Sequence, residues 1–346
     1  MHSILFGLLS TTENANVKGH VTCNSDFDLD GGKSELLRVA HALKLPNPSK
    51  LMDKSPTTDV VLGADKHSGR NVSLKIFHHS DDRMVGMLKG EAARDEYDLE
   101  RHTSEGDLLD IGGHIGVTAL FFHKLHPTSQ VYIFEPAPLN FFYLALNAIT
   151  NGADSSKLRL YNRGLSNDDA SFTIEYSPDD TTSTRRASLG HTWGKKPKQY
   201  RLVYAMSMQQ LKQCLPLDNV GLVKLDCEGC EFEVVPSNTR FFSTWKRRVV
   251  GEFHAWHLKQ PGHTGNVSDK VIRDVKALLC NRRRRVEDRI SGTHGVKISN
   301  SYQKKELKND TARGSTAGFG GTGVCVGVRF VSLPSGRARG SNGDEW

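Results

Sequence analysis

The chain has 346 residues, 37% of them hydrophobic and 25% charged, which suits one α/β domain of ordinary size with an extension. Lysine plus arginine exceed aspartate plus glutamate, 46 to 39, a basic balance that tolerates acidic partners without specifying one. The longest early apolar run, residues 4–9, is too short to cross a membrane and has no basic stretch before it, which argues against both a membrane span and a signal peptide.

Residues 1–55 have little periodicity and are expected to form a loosely packed extension, with a short helix over 34–43. Inside it, Asp26-Phe-Asp28-Leu-Asp30-Gly31 imitates the start of a calcium loop, but Leu37 stands where the last carboxylate ligand is needed, so calcium is rejected. Two β-type segments, 58–62 and 71–77, predict a hairpin with a long loop, and a helix over 90–102 follows. Residues 108–111 form an apolar run of buried-strand type. It passes through Gly112-Gly113-His114-Ile115-Gly116 into a helix with Val117, Leu120, Phe121 and Leu125 on one side. Such a turn aims backbone N–H groups and the positive helix end at one point, and its glycines let a ligand approach the main chain.

Residues 130–134 predict the next strand, ended by Glu135 and Pro136, and a helix over 139–150 is closed by Asn151-Gly152. Strands are expected at 158–162, 171–176 and 199–205, and the polar interval 177–198 reads as a mobile lid-like loop. Residues 220–225 and 248–254 repeat the pattern of an apolar run ending in acids, with Glu252 and His254 two apart on the second. A helix over 270–279 and a strand within 323–331 complete the series, and 334–346 reads as a disordered tail. The whole describes a doubly wound, mostly parallel α/β sheet with helices on both faces and chemistry along its carboxyl edge. Residues 1–89 are expected to form an extension and hairpin cap, and 90–333 a Rossmann-like domain.

A dinucleotide fingerprint anchored at Gly112 would need glycines at positions held by His114 and Val117, which argues against a nicotinamide-dependent oxidoreductase. The pattern present is Asp110-x-Gly112-x-x-x-Gly116, with Glu135 at the end of the next strand. An acid there suits ribose hydroxyls, and the charge on Asp110 favours a cationic or amine-bearing group. S-adenosylmethionine offers both.

On these residues the chain resembles the FkbM-type methyltransferases, class I enzymes that use S-adenosylmethionine. The likeness rests on Asp110-Ile-Gly-Gly-His-Ile-Gly116, on Phe134-Glu135-Pro136 with Asn140, Leu144, Asn147 and Asn151, on Asn162-Arg-Gly-Leu165-Ser166, and on Lys224-Leu-Asp226-Cys-Glu228-Gly229-Cys-Glu231. The resemblance implies a seven-stranded sheet, with Asp110, Gly112, Gly113, His114, Gly116 and Glu135 around the cofactor and Gly164 and Leu165 near its adenine. His114 stands where the family usually carries Asn.

The second constellation, Lys224, Asp226 and Glu228, ends a strand expected beside the cofactor edge. Asp226 is the first candidate for removing the acceptor's proton or orienting the acceptor, Glu228 the second, and His254 a further candidate; Glu231 reads as a helix-capping acid. No metal-ligand set is read, because Cys227-x-x-Cys230 lacks a companion pair at zinc spacing. The six cysteines are scattered, which fits reduced thiols and a cytoplasmic protein. The expected reaction is O-methylation of a small-molecule or glycan hydroxyl. Nucleic acid is not an expected partner, since the clusters at 246–248 and 282–285 lack an aromatic ladder. A rival is a catalytically silent relative that holds an anionic partner such as RNA.

Overall fold

The computed structural model describes residues 23–63, 72–79, 84–100, 106–167, 171–177, 180–186, 199–243, 248–254, 265–280 and 328–331. The front piece comprises α1 (Gly32–Ala42), α2 (Pro48–Lys54), β1 (Thr57–Val61), β2 (Ser73–Phe77) and α3 (Met84–Arg94). Then come β3 (Asp107–Ile111), α4 (Val117–Leu125), β4 (Val131–Phe134), α5 (Pro138–Thr150) and β5 (Leu158–Tyr161). Short strands follow: β6 (Gly164–Ser166), β7 (Phe172–Ser177), β8 (Asp180–Arg186), β9 (Gln199–Val203) and β10 (Ala205–Ser207). The chain continues through α6 (Met208–Cys214), β11 (Val220–Leu225), α7 (Glu231–Ser237), α8 (Thr239–Phe242), β12 (Arg248–His254), α9 (Gly265–Cys280) and β13 (Val328–Val331).

The central sheet has the order β13-β12-β11-β3-β4-β5, and every pair in it is parallel. From β3 the chain winds outward to β5, then returns to lay β11 on the other side of β3. The reversal between β3 and β11 is the switch point at which such sheets open a crevice. Its strands are apolar on both faces because both faces are covered. Leu108, Ile133, Leu222 and Val250 join one core with Leu120, Phe121, Phe141 and Leu144. Leu109, Phe134, Val223, Leu225 and Phe253 join the other with Leu211, Val235, Phe242 and Val275. The period of two then assigns Asp110, Lys224, Glu252 and His254 to the face shared by Leu108, Leu222 and Val250.

Several expectations are corrected. Residues 23–54 are not loosely packed: Phe27, Leu36, Val39 and Ala40 are buried in the first core. Asp26 donates its N–H to Leu160 O at 2.8 Å, and its carboxylate takes Asn162 N–H and the Arg163 guanidinium. This segment covers β5, which would otherwise be an open sheet edge. Sparse, short apolar runs concealed that packing. The helix expected at 90–102 ends at Arg94, because Asp95 turns left-handed (φ 45°) and its carboxylate accepts the N–H groups of Leu99 and Glu100.

Among the described residues the central sheet has six strands, so a seventh is not confirmed. The 171–176 segment and the first part of 199–205 leave it to form an antiparallel sheet of order β8-β7-β9, while β10 pairs with β6. The lid-like interval therefore contains a strand, β8, since its Thr/Ser-rich sequence is as compatible with an edge strand as with a loop. The thiol expectation also fails, because Cys23 bonds Cys214 and Cys227 bonds Cys230. Scatter in the sequence says little about pairing in space, and the cytoplasmic reading loses that support. Among the described residues no helix is long and apolar enough to cross a membrane. The 282–285 run and the 334–346 tail lie outside the described residues.

Candidate active site

The glycine turn after β3 is built differently from its sequence reading. Gly112 and Gly113 both donate their N–H groups to Phe134 O, at 2.9 and 3.0 Å, and Gly116 donates to Gly113 O at 2.9 Å. These donors close the turn against β4 and are not offered to a ligand. Gly112 has φ +87°, and a Cβ there would lie 1.9 Å from Asp226 O. The glycine thus lets the main chains after β3 and β11 meet, rather than opening a path for a ligand.

His114 is left-handed (φ 51°) and donates its N–H to Glu135 Oε2 at 2.8 Å. The other oxygen of Glu135 accepts Ala137 N–H at 2.8 Å and faces Asn140 Nδ2 at 3.5 Å. Burial raises the Glu135 carboxyl to about 7 against these hydrogen bonds. Oε2, which takes a single N–H, still has a lone pair for a hydroxyl.

Asp110 is 0% exposed and sits opposite Lys224 in the parallel ladder. Lys224 Nζ donates to Asp110 Oδ1 at 3.1 Å and to Gly112 O at 2.7 Å, so the lysine braces the turn from below. Burial raises the Asp110 carboxyl, and Lys224 opposes the shift; the lysine is itself held above its ordinary range, burial being outweighed by Asp110 and Asp226. Among the described residues Asp110 Oδ2 has no hydrogen-bond partner. A buried, unsatisfied carboxylate oxygen is costly unless a donor from outside the chain completes it. An ammonium group is such a donor, so the Asp110 side of the turn is suited to an amine-bearing ligand and Glu135 Oε2 to a hydroxyl.

Across the switch point a second group gathers at the ends of β11 and β12. Asp226 Oδ2 accepts from Tyr97 Oη at 3.4 Å and lies 3.8 Å from Lys224 Nζ. Asp226 Oδ1, Glu228 Oε1 and Glu252 Oε2 stand 3.8, 3.6 and 3.9 Å from His254 Nε2. The other ring nitrogen, Nδ1, is 3.2 Å from Glu231 Oε1. Burial opposes the charge on His254, but Glu231, Glu228 and Asp226 outweigh it and raise the ring to about 9.

Glu231 is buried and also takes the N–H groups of Cys227 and Gly229, at 2.9 and 2.8 Å. It fixes the loop that carries Glu228, whose own φ is 54°. Lys224, Asp226, Glu228 and His254 are therefore brought together, with Lys224 as a brace. Gly164 and Leu165 lie in β6 with Leu165 buried in the second core, and a Cβ on Gly164 would meet the Phe172 ring at 2.3 Å. Tyr97 was missed, since nothing in its local sequence ties it to a residue 129 positions away.

The family description "Methyltransferase FkbM domain" matches residues 110–286, just over half of the chain. "Methyltransferase 1" of Beauveria bassiana is 26% identical over 154 residues, 40% of this chain and 61% of that protein. "Methyltransferase sdnD" of Sordaria araneosa is 24% identical over 163 residues, 40% of this chain and 62% of that one. The chain thus spans somewhat over three fifths of these relatives' length. A solved methyltransferase FkbM from Methylobacillus flagellatus KT aligns at 14% identity and a TM-score of 0.31, covering 56% of this chain and 48% of that one, a likeness too weak to argue from. By its matched domain, this chain belongs to the FkbM methyltransferase family.

Proposed function

We propose that the protein transfers a methyl group from S-adenosylmethionine to a hydroxyl of a small molecule or sugar. One observation carries the reading: the fully buried Asp110 Oδ2 at the end of β3, without a hydrogen-bond partner among the described residues, one strand from Glu135 at the end of β4. In this reading Asp110 takes the cofactor's ammonium and Glu135 its ribose. Gly112, Gly113, His114 and Gly116 shape the turn, and Gly164 and Leu165 lie on the adenine side. Residues 90–333 would carry the transferase domain, with the preceding part as its cap.

The cofactor supplies a methyl group already activated on a sulfonium, so positioning provides much of the rate. Asp226, a quarter exposed at the crevice, orients the acceptor and takes its proton, with Glu228 beside it. Lys224 holds Asp110 and the turn in register with them.

Calorimetry tests the cofactor half. S-adenosylmethionine and S-adenosylhomocysteine should both bind, and Glu135→Ala should weaken them about tenfold or more; no binding by wild type ends the proposal. In a screen of glycan, lipid and metabolite pools with labelled methyl donor, Asp226→Asn should keep cofactor affinity and lose about a hundredfold in turnover. Normal turnover would remove Asp226 from its role.

A further inference from the structure

The carboxyl edge of β11 and β12 holds a group of which the methyl-transfer reading uses only Asp226. Among the described residues, Asp226, Glu252 and His254 bring two carboxylate oxygens and an imidazole nitrogen within 4.8 Å of one another. They come from adjacent parallel strands, with His254 and Glu252 on one face by their spacing and Asp226 one residue beyond its strand. His254 is buried, while Asp226 and Glu252 are part-exposed, so the group has one rigid, desolvated ligand and two that open toward the crevice.

The ring of His254 is oriented in advance. Its Nδ1 faces Glu231 Oε1, and Glu231 is 0% exposed and locked by two backbone N–H groups. A histidine whose far nitrogen is held by a buried carboxylate presents the near nitrogen in a fixed direction, the arrangement that supports histidine ligands in metal sites. Here the near nitrogen, Nε2, faces three carboxylates, from Asp226, Glu228 and Glu252. The proton on this ring balances part of that negative charge, and a divalent cation would displace the proton from Nε2 and take over the carboxylates. Lys224 does not take that place, because its ammonium is engaged by Asp110 and Gly112 O on the other side of Asp226.

We infer that Asp226, Glu252 and His254 form a binding site for one divalent cation. Two carboxylates and one imidazole are a hard-to-borderline donor set, which suits Mn²⁺ and its first-row neighbours better than Ca²⁺. Three protein ligands leave positions for water or for a substrate oxygen. Resting on the methyl-transfer reading, the cation would bind the acceptor hydroxyl. With the cation bound, Asp226 would orient the acceptor as a ligand, and Glu228 beside it would take the O–H proton in place of Asp226 as the new O–CH₃ bond forms and the donor's S–CH₃ bond breaks. Cation binding itself does not depend on that reading.

The test uses the full chain, stripped with chelator and free of methyl donor, titrated with Mn²⁺ and followed by electron paramagnetic resonance. One Mn²⁺ per chain should bind, with echo modulation from a coordinated imidazole nitrogen. Glu252→Gln and Asp226→Asn should each weaken binding about tenfold or more, while Glu96→Gln, an equal charge change beside Arg94, should not. Absence of the nitrogen coupling in wild type, or variants that bind as wild type does, would overturn the site. The nitrogen signal decides the matter even if a variant fails to fold. Loss of S-adenosylmethionine binding with Mn²⁺ binding retained would overturn the functional reading alone.

Discussion

Glu135 shows how one buried side chain ties a turn to a helix. It holds the N–H groups of His114 and Ala137, tying the glycine turn to the start of α5. Its burial has a thermodynamic consequence. The folded carboxyl titrates at about 7, above its ordinary 4.5, so between these values the native state binds more protons than the unfolded chain. The contribution of Glu135 to the unfolding free energy must therefore fall as pH rises from about 4.5 to 7, at up to about 1.4 kcal/mol per pH unit, and level off above, while His254, raised to about 9, carries a decline of its own beyond that. Burial raises Asp107, Asp110 and Glu252 in the same direction, so the isolating comparison is with Glu135→Gln. Denaturant titrations at several pH values should show a shallower decline in the variant, and equal slopes would refute the shift. Asp110, Glu135 and Asp226 were legible because each is an acid at the end of an apolar run. Tyr97 and the hold of Glu231 on His254 were not, because those contacts cross the chain and leave no local pattern.

The same contrast holds for elements. The asparagines of α5 were legible as a motif, but not what they do. Asn147 Oδ1 accepts Phe77 N–H at 2.7 Å, while its Nδ2 donates to Phe77 O and Ile115 O at 3.1 and 2.9 Å. One turn later, Asn151 makes the equivalent pair with the N–H and C=O of Lys75. A helix thereby provides the ladder partners of β2, docking the hairpin onto the transferase sheet without a strand between them. Asn147→Ala leaves three backbone groups without their partners and should lower stability by about 2–3 kcal/mol, read by urea unfolding. Asn151→Ala should do less, because its contacts are exposed and water replaces them. Equal effects would mean that apolar packing alone holds the hairpin. The hairpin and the helix of the front piece were legible, but the packing of residues 23–54 was not, because their few apolar residues, such as Phe27 and Leu36, acquire meaning only against Phe141 and its neighbours in the core.

At the scale of the molecule, the pairing of Cys23 with Cys214 spans a sequence separation of 191 and ties the segment covering β5 to the end of α6. Tyr161 Oη donates to Cys23 O at 3.4 Å, so the bridge sits directly on the sheet edge it protects. The Cys227–Cys230 bridge has a separation of 3 and lies inside the site loop. If disulfides stabilise by limiting the unfolded chain, the long closure contributes about 5 kcal/mol and the short one about 1–2. Cys214→Ser should therefore lower the unfolding free energy by about 2–5 kcal/mol and loosen the 23–28 segment, seen as faster amide exchange at Asp26 and Leu160, which share a backbone hydrogen bond. Cys230→Ser should leave exchange there unchanged and alter the loop around Glu228 instead. If Cys214→Ser unfolds as wild type does, the edge is held by the Asp26–Arg163 pair and the burial of Phe27, and the long bridge adds nothing to the fold.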